Sequence, residues 1–456
     1  MLPSEVSEHG GNNEDCDPSH LIADAVQQLR PTHVIVDACL LDRHDNHTSR
    51  LRDKLLQSMD DDENTINDAS TVIEVMDEGT LIPFDKVAKA LGRSRQGGRA
   101  LRWSTFLSNT MARQKYDVEK PTWETSGLPP QMRGIDEVMT KRSSSMPKAE
   151  TFPSWAQRLL SDWGEISEDE AIRRATRSGV GSRADKSSSL LTERGSIDTK
   201  LSPYLRWGVI SPQRAAEAGV RERDLLWRDW SYICYGLLGP LRRGDAVLDF
   251  MDKATCLQSQ SEPDDGKKED DAFNLWCVGN TGSKLVDAGM RQLWAEGWMP
   301  RRIRLLAAAC LVEGLGIDWR LGRDWFKHTL VDHDPAINEL MWQNAGLCGI
   351  DPFYNGIAWE VPPKRSEDEE YVEKWINHKL VWPSHLKPYS SRKPSSQMID
   401  EAESKRSALR AEGVYRAART ISNSGVRVAW PGLESSVKEG EVMGVGVVPM
   451  DELDII

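Results

Sequence analysis

The chain has 456 residues, enough for two or three domains and a large core, and a formal net charge of -13. That balance excludes a globally basic nucleic-acid-binding surface but leaves room for a local basic groove. Seven cysteines stand far apart with no CxxC pair, which argues against a disulfide framework or a structural metal site and for a reducing compartment.

The opening MLPSEVSEHGGNNED is acidic and polar, so it reads as neither a signal peptide nor a good transit peptide. Residues 1–18 are expected to be disordered. From HLIADAVQQLRP to THVIVDACLL the pattern passes from helical spacing to a β-branched run. TSRLRDKLLQSM and STVIEVM then repeat the alternation, which predicts part of a parallel α/β layer over 19–145. From about residue 150 the strand signal ends. PSWAQRLLSDW, SPYLRWGVISPQRAAEAGV, RERDLLWRDWSYICYGLLGPL, GSKLVDAGMRQLWAEG and PRRIRLLAAACLVEGLG all carry a helical period. In the last, Ile303, Leu306, Ala307 and Cys310 form the expected core stripe, ended by Gly314 and Gly316. The predicted fold is thus an incomplete parallel α/β portion followed by a large all-α domain over 150–382. Residues 258–271 read as a charged insertion, and 383–456 as a partly disordered extension with a loose tail beyond Pro431. The longest apolar run, LLAAACLVEGLG, is too short to span a bilayer, so nucleus or cytoplasm is the expected location.

Three patterns invite chemistry. In DTKLSPYLRWG, Ser202 and Pro203 read as an N-cap and N1 proline, and Thr199 and Ser202 add hydroxyls beside free amides. Such a turn can cradle a phosphate, or it can be plain capping, and Asp198 speaks against an anion. Second, Arg301 and Arg304 share a helical face, with Asp332 or Asp334 as candidate partners or, equally, a solvated basic cluster as the reading. Third, in DHDPAINELMWQN, Asp334 and Pro335 start a helix whose one face carries Asp334, Asn338 and Trp342. There are 17 Trp against 7 Phe and 8 Tyr. Most are expected to be ordinary core, but a spaced row of indoles can also relay electrons.

In sequence order, KLSPYLRWGVIS, DLLWRDW, WCVGNTGSKLVDAGMRQLWAEGWM, RIRLL and IDWRLGRDWFKHTLVDHDPAINELMWQ resemble the flavin-binding domain of the DNA photolyase/cryptochrome family. The resemblance covers about 150–380 and is densest between 200 and 346. The N-terminal part resembles the family's α/β domain without its opening strand, so an antenna chromophore is not expected to bind in the usual way.

The resemblance implies FAD as cofactor. Thr199, Lys200, Leu201 and Ser202 would hold its phosphates, and Arg228 would contact the flavin. Arg304 and Asp332 match an ion pair over the ring, Asp334 its pyrimidine edge, and Asn338 the position facing N5. Trp342 matches the proximal electron donor and Trp319 the next relay. The family's outer tryptophan has no counterpart, since residues 257–275 contain no Trp. Asp198 replaces a threonine, and the tyrosine before the phosphate loop is lacking. On the lesion side Trp227 is kept and Asp224 replaces a glutamate. Arg301 stands for an asparagine and Asn344 for a second tryptophan. An aromatic wall contributes roughly 1–3 kcal/mol per stacked base, so this pocket would bind damage weakly. The expected function is a cryptochrome-like blue-light photoreceptor. The alternatives are a DNA photolyase, a carbon–carbon lyase repairing pyrimidine dimers, and a degenerate scaffold with little flavin. The partners implied are damaged DNA or signalling proteins.

Overall fold

A computed structural model describes residues 33–37, 72–76, 81, 91–93, 99–111, 163, 166–180, 199–248, 265–351, 363, 366–391 and 426–428. The expected disorder of 1–18, the helices read at 20–31, 48–59 and 153–162, the first half of the charged insertion (258–264) and the tail beyond Pro431 lie outside these residues.

The chain divides into two compact units, residues 1–79 with 117–152, and residues 80–116 with 153–456. In the first, β1 (His33–Asp37) and β2 (Val72–Met76) pair in parallel, His33 opposite Val72 and Asp37 opposite Met76. These are the two β-branched runs of the sequence, HVIVD and VIEVM.

The second unit is rich in helices: α1 (Trp103–Met111), α2 (Glu168–Val180), α3 (Ser202–Arg206), α4 (Pro212–Glu217), α5 (Glu222–Leu237), α6 (Gly239–Arg243), α7 (Asp265–Cys277), α8 (Lys284–Glu296), α9 (Arg301–Ala309), α10 (Trp319–Thr329), α11 (Pro335–Ala345) and α12 (Ser366–Ile376). Its centre is α9, continued by a π-helical turn over Cys310–Gly314. The predicted stripe Ile303, Leu306, Ala307 and Cys310 is buried, but so are Ala309 and Leu311, so the helix is enclosed on more than one face. Helices α8 and α11 pack against α9, and α5 and α10 against α11. A Cβ on Gly289 of α8 would lie 2.1 Å from Ile303 Cγ2, so glycine is what allows this close approach.

The second unit also holds a small antiparallel sheet that the sequence did not announce. Its strands β3 (Gly92–Arg93), β4 (Arg99–Leu101) and β5 (Val426–Val428) are too short for an alternating pattern to be read. Cys234, Cys277, Cys310 and Cys348 are buried thiols. Among the described residues no helix is long and apolar enough to cross a membrane.

Candidate functional site

A cavity of about 370 Å³ opens in the second unit, between the turn preceding α3, the first half of α5, the start of α9 and one face of α11. The start of α11 is set by local chemistry. Asp334 has extended backbone and its Oδ1 accepts the Ala336 and Ile337 amides at 3.0 and 3.1 Å, with Pro335 in the first turn. Four-residue spacing then places Asn338 and Trp342 on the same cavity wall as Asp334.

Asp332, just before this helix, is the centre of a buried polar knot. Its Oδ2 accepts from Arg304 Nη2 at 2.7 Å and from the Ser202 hydroxyl at 2.5 Å, and Trp298 Nε1 donates to that hydroxyl oxygen at 3.2 Å. Asp332 Oδ1 is buried without a hydrogen-bond partner. A buried carboxylate oxygen left open in this way is a place for a ligand donor. Ser202 is therefore not the N-cap its Ser-Pro context predicted. Leu201 occupies that position without a side-chain cap, because the hydroxyl's proton goes to Asp332 instead.

Asp334 Oδ2 accepts from the Tyr232 hydroxyl, and Arg206 Nε lies 4.0 Å away. Arg228 Nη2 donates to Tyr232 Oη at 3.1 Å, and its guanidinium sits 4.5 Å over the tyrosine ring. Asn338 Nδ2 donates to the Arg323 carbonyl at 3.1 Å, which uses one of its two N–H groups and orients the amide, with its oxygen available as an acceptor. His333 also lines the cavity. Burial lowers its pKa, with Arg206 and Lys327 also lowering it and Asp334 and Asp332 opposing.

On the other side, Asp224 Oδ2 takes Arg221 at 2.8 Å, and Trp227 meets Trp103 edge-on at 4.6 Å. Arg301 stands exposed at the rim.

The cavity thus brings together Thr199, Leu201, Ser202, Arg228, Arg304, Asp332, Asp334, Asn338 and Trp342 with Asp224, Trp227 and Arg301. Three residues singled out in the sequence do not line it. Lys200, at a positive φ of 51°, turns its ammonium to Glu296 at 2.6 Å, between the rings of Trp163 and Trp298. Trp319 is buried beneath the guanidiniums of Arg320 and Arg323. Asn344 is wholly buried, its Oδ1 accepting the Asp351 amide at 3.1 Å. Sequence reasoning missed Arg206, Tyr232 and His333, and held Trp298 only as one of a spaced set of tryptophans. Tyr232 was within reach, since it follows Arg228 by one helical turn.

Residues 222–408 match the family model described as the FAD binding domain of DNA photolyase. Over these residues the chain is similar to the photolyase/cryptochrome family. FAD is the cofactor of that domain, and the open Asp332 oxygen beside the arginine-lined cavity fits a ligand that brings both donors and phosphates. A deoxyribodipyrimidine photo-lyase of Alkalihalophilus pseudofirmus is 32% identical over 52% of this chain and 50% of its own length. A cryptochrome DASH of Idiomarina loihiensis is 31% identical over 51% of this chain and 54% of its own. The chain therefore spans about half the length of these curated relatives. The structure of a bacterial class III photolyase from Agrobacterium tumefaciens superposes with a TM-score of 0.54 at 21% identity, covering 88% of this chain and 82% of that one, a likeness of fold.

Proposed function

We propose that this chain is a blue-light-responsive flavoprotein of the cryptochrome kind, in which Trp342 gives an electron to FAD held in the cavity. The observation that carries this reading is the wall on which Asp332, Asp334, Asn338 and Trp342 stand together, with one oxygen of Asp332 open. When bound, FAD supplies a blue-light-absorbing ring that accepts electrons one at a time.

The residues divide the remaining work. Arg304 neutralises Asp332 and holds it in place, so that its free oxygen is presented without the cost of an unpaired buried charge. The Arg323 carbonyl orients the Asn338 amide, whose oxygen would be available to accept a hydrogen bond from a protonated ring nitrogen of the cofactor. Arg228 and Arg206 bring positive charge to the same cavity. Thr199 and Ser202 supply hydroxyls at its edge. Trp342, only 2% exposed, is the indole on this wall and is kept from water, which favours a fast electron step over side reactions.

Signalling rather than repair is supported by the lesion side of the cavity. Asp224 is engaged by Arg221, Arg301 adds bulk and charge at the rim, and Asn344 contributes no second aromatic wall. Repair by a photolyase, the second reading, is favoured by Trp227, whose indole is braced by Trp103 as a flat wall suits a flipped base. Illumination of purified flavin-loaded protein with dimer-containing DNA separates the two. Photoreduction without dimer removal is the expected result, and dimer removal in light would replace the receptor reading with repair.

A further inference from the structure

Resting on the reading that FAD occupies this cavity, we infer that Trp207 and Arg206 are positioning residues, which clasp the loop 331–333 from the end of α3 and so fix the directions of Asp332 and Asp334. One short helix and its cap reach three successive residues of that loop. Trp207 Nε1 donates to the Val331 carbonyl at 2.9 Å, the Ser202 hydroxyl to the Asp332 carboxylate, and Arg206 Nε to the His333 carbonyl at 2.7 Å.

The two carbonyls bracket the acids. The Val331 carbonyl belongs to the peptide plane that leads into Asp332, and the His333 carbonyl to the plane that leads into Asp334. A peptide unit is rigid, so holding its oxygen limits the direction in which the next side chain leaves the backbone. The plane between them is held by the His333 amide, which donates to the Leu330 carbonyl at 3.3 Å, and the entry to the loop by the Val331 amide on the Gly297 carbonyl at 2.8 Å. The donors for the two outer carbonyls come from α3 and its cap.

This backbone control matters because the side-chain bonds leave a freedom. Arg304 and Ser202 both hold Asp332 Oδ2, so the carboxylate can still swing about that oxygen, and the direction of the open Oδ1 rests on the loop. Arg206 Nε also lies 4.0 Å from Asp334 Oδ2, with its guanidinium 5.1 Å from the centre of the Trp207 ring. The indole thus backs the cation that stands beside the second acid.

Exposure separates Trp207 from a packing residue. It does not line the cavity, and it is 67% exposed. A ring left in water contributes little burial, so its N–H and its face toward Arg206 are what it offers here. Being neutral and outside the cavity, it can act on a bound flavin only through the loop and Arg206.

The test uses the full chain titrated with FAD, read by quenching of flavin fluorescence, with the urea midpoint of the flavin-free chain as the measure of fold. Trp207→Phe keeps a ring beside Arg206 and removes the N–H. It is expected to weaken FAD binding roughly three- to ten-fold, the worth of one hydrogen bond. Its urea midpoint should stay near the parent's, because water can take up both partners of so exposed a bond. In an Asp332→Asn background the same change is expected to have no further effect, as coupling through that residue requires. Trp294→Phe removes an indole bond of the same kind, to the Val381 carbonyl at 3.0 Å, away from the cavity, and should leave FAD affinity unchanged. Parental affinity in Trp207→Phe, an equal loss with and without Asp332, or an equal loss in Trp294→Phe overturns the clasp. A parent chain that takes up no FAD removes the cavity reading instead, a result distinct from tight binding that Trp207→Phe leaves untouched.

Discussion

Replacing Gly322 by alanine adds one methyl group beneath the indole of Trp342. Built on the present backbone, that Cβ lies 2.2 and 2.4 Å from Trp342 Cη2 and Cζ3 and 2.5 Å from Leu311 Cδ2. Each contact is about 1 Å short of ordinary van der Waals distance, and three atoms of two packed side chains must yield together. Overpacking of this kind costs about 1–3 kcal/mol, and three simultaneous clashes put Gly322→Ala near the upper end. Alanine in a helix interior returns about 1 kcal/mol over glycine. The net expectation is a loss of about 2 kcal/mol, read as a lower urea midpoint of the flavin-free protein at unchanged slope. Because Trp342 lines the cavity, the displaced ring should also weaken FAD binding in a fluorescence titration. A variant more stable than its parent by about 1 kcal/mol, the helix-propensity gain expressed in full, would refute the packing of this indole on Gly322.

Asp332→Ala leaves Arg304 without its partner. The carboxylate is buried and the guanidinium about a quarter exposed, so a loss of about 2–3 kcal/mol in urea unfolding is expected, below the full range for buried pairs; an unchanged midpoint contradicts the pair's role. Burial pushes the Asp287 carboxyl up to about 6, against hydrogen bonds from Thr281 and Gly282 that hold it down. The folded state then binds the proton more tightly than the unfolded chain, so this group's contribution to stability falls as pH rises between about 4 and 6. The difference in unfolding free energy, parent minus Asp287→Asn, should drop by up to about 3 kcal/mol from pH 4 to pH 7, and a flat difference would contradict it. Asn344→Trp is expected to fail as a restoration of an aromatic wall. The site is wholly buried, with Asn344 Oδ1 only 2.2 Å from where a Cβ on Gly349 would stand. Loss of the cooperative unfolding transition is the expected result; a folded variant with tighter binding to dimer-containing DNA would show that the side chain reaches the cavity.

What could be read from sequence was local. Asp334 and Pro335 announce the start of α11 because capping is settled within three residues, and the spacing of Asn338 and Trp342 follows from the helical turn. The same Ser-Pro grammar misled at Ser202, where a carboxylate 130 residues away takes the hydroxyl. Arg304 had two candidate acids in the sequence, and only folding could choose Asp332. The network of Arg323, Glu339 and Gln343, in which burial raises the Glu339 pKa, left no mark because Glu339 sits on α11 among ordinary polar letters. Trp103 was equally silent, since its partners Trp227 and Trp230 are far off in the chain. The short strands β3 to β5 carry too few residues to show a period.

The most direct test of the account is the absorption spectrum of the purified chain, supplied with FAD, before and after blue light. The account predicts a structured flavin band that bleaches on illumination. A spectrum without bound flavin after addition of FAD, or a flavin band that light leaves unchanged in the presence of a thiol, would contradict it.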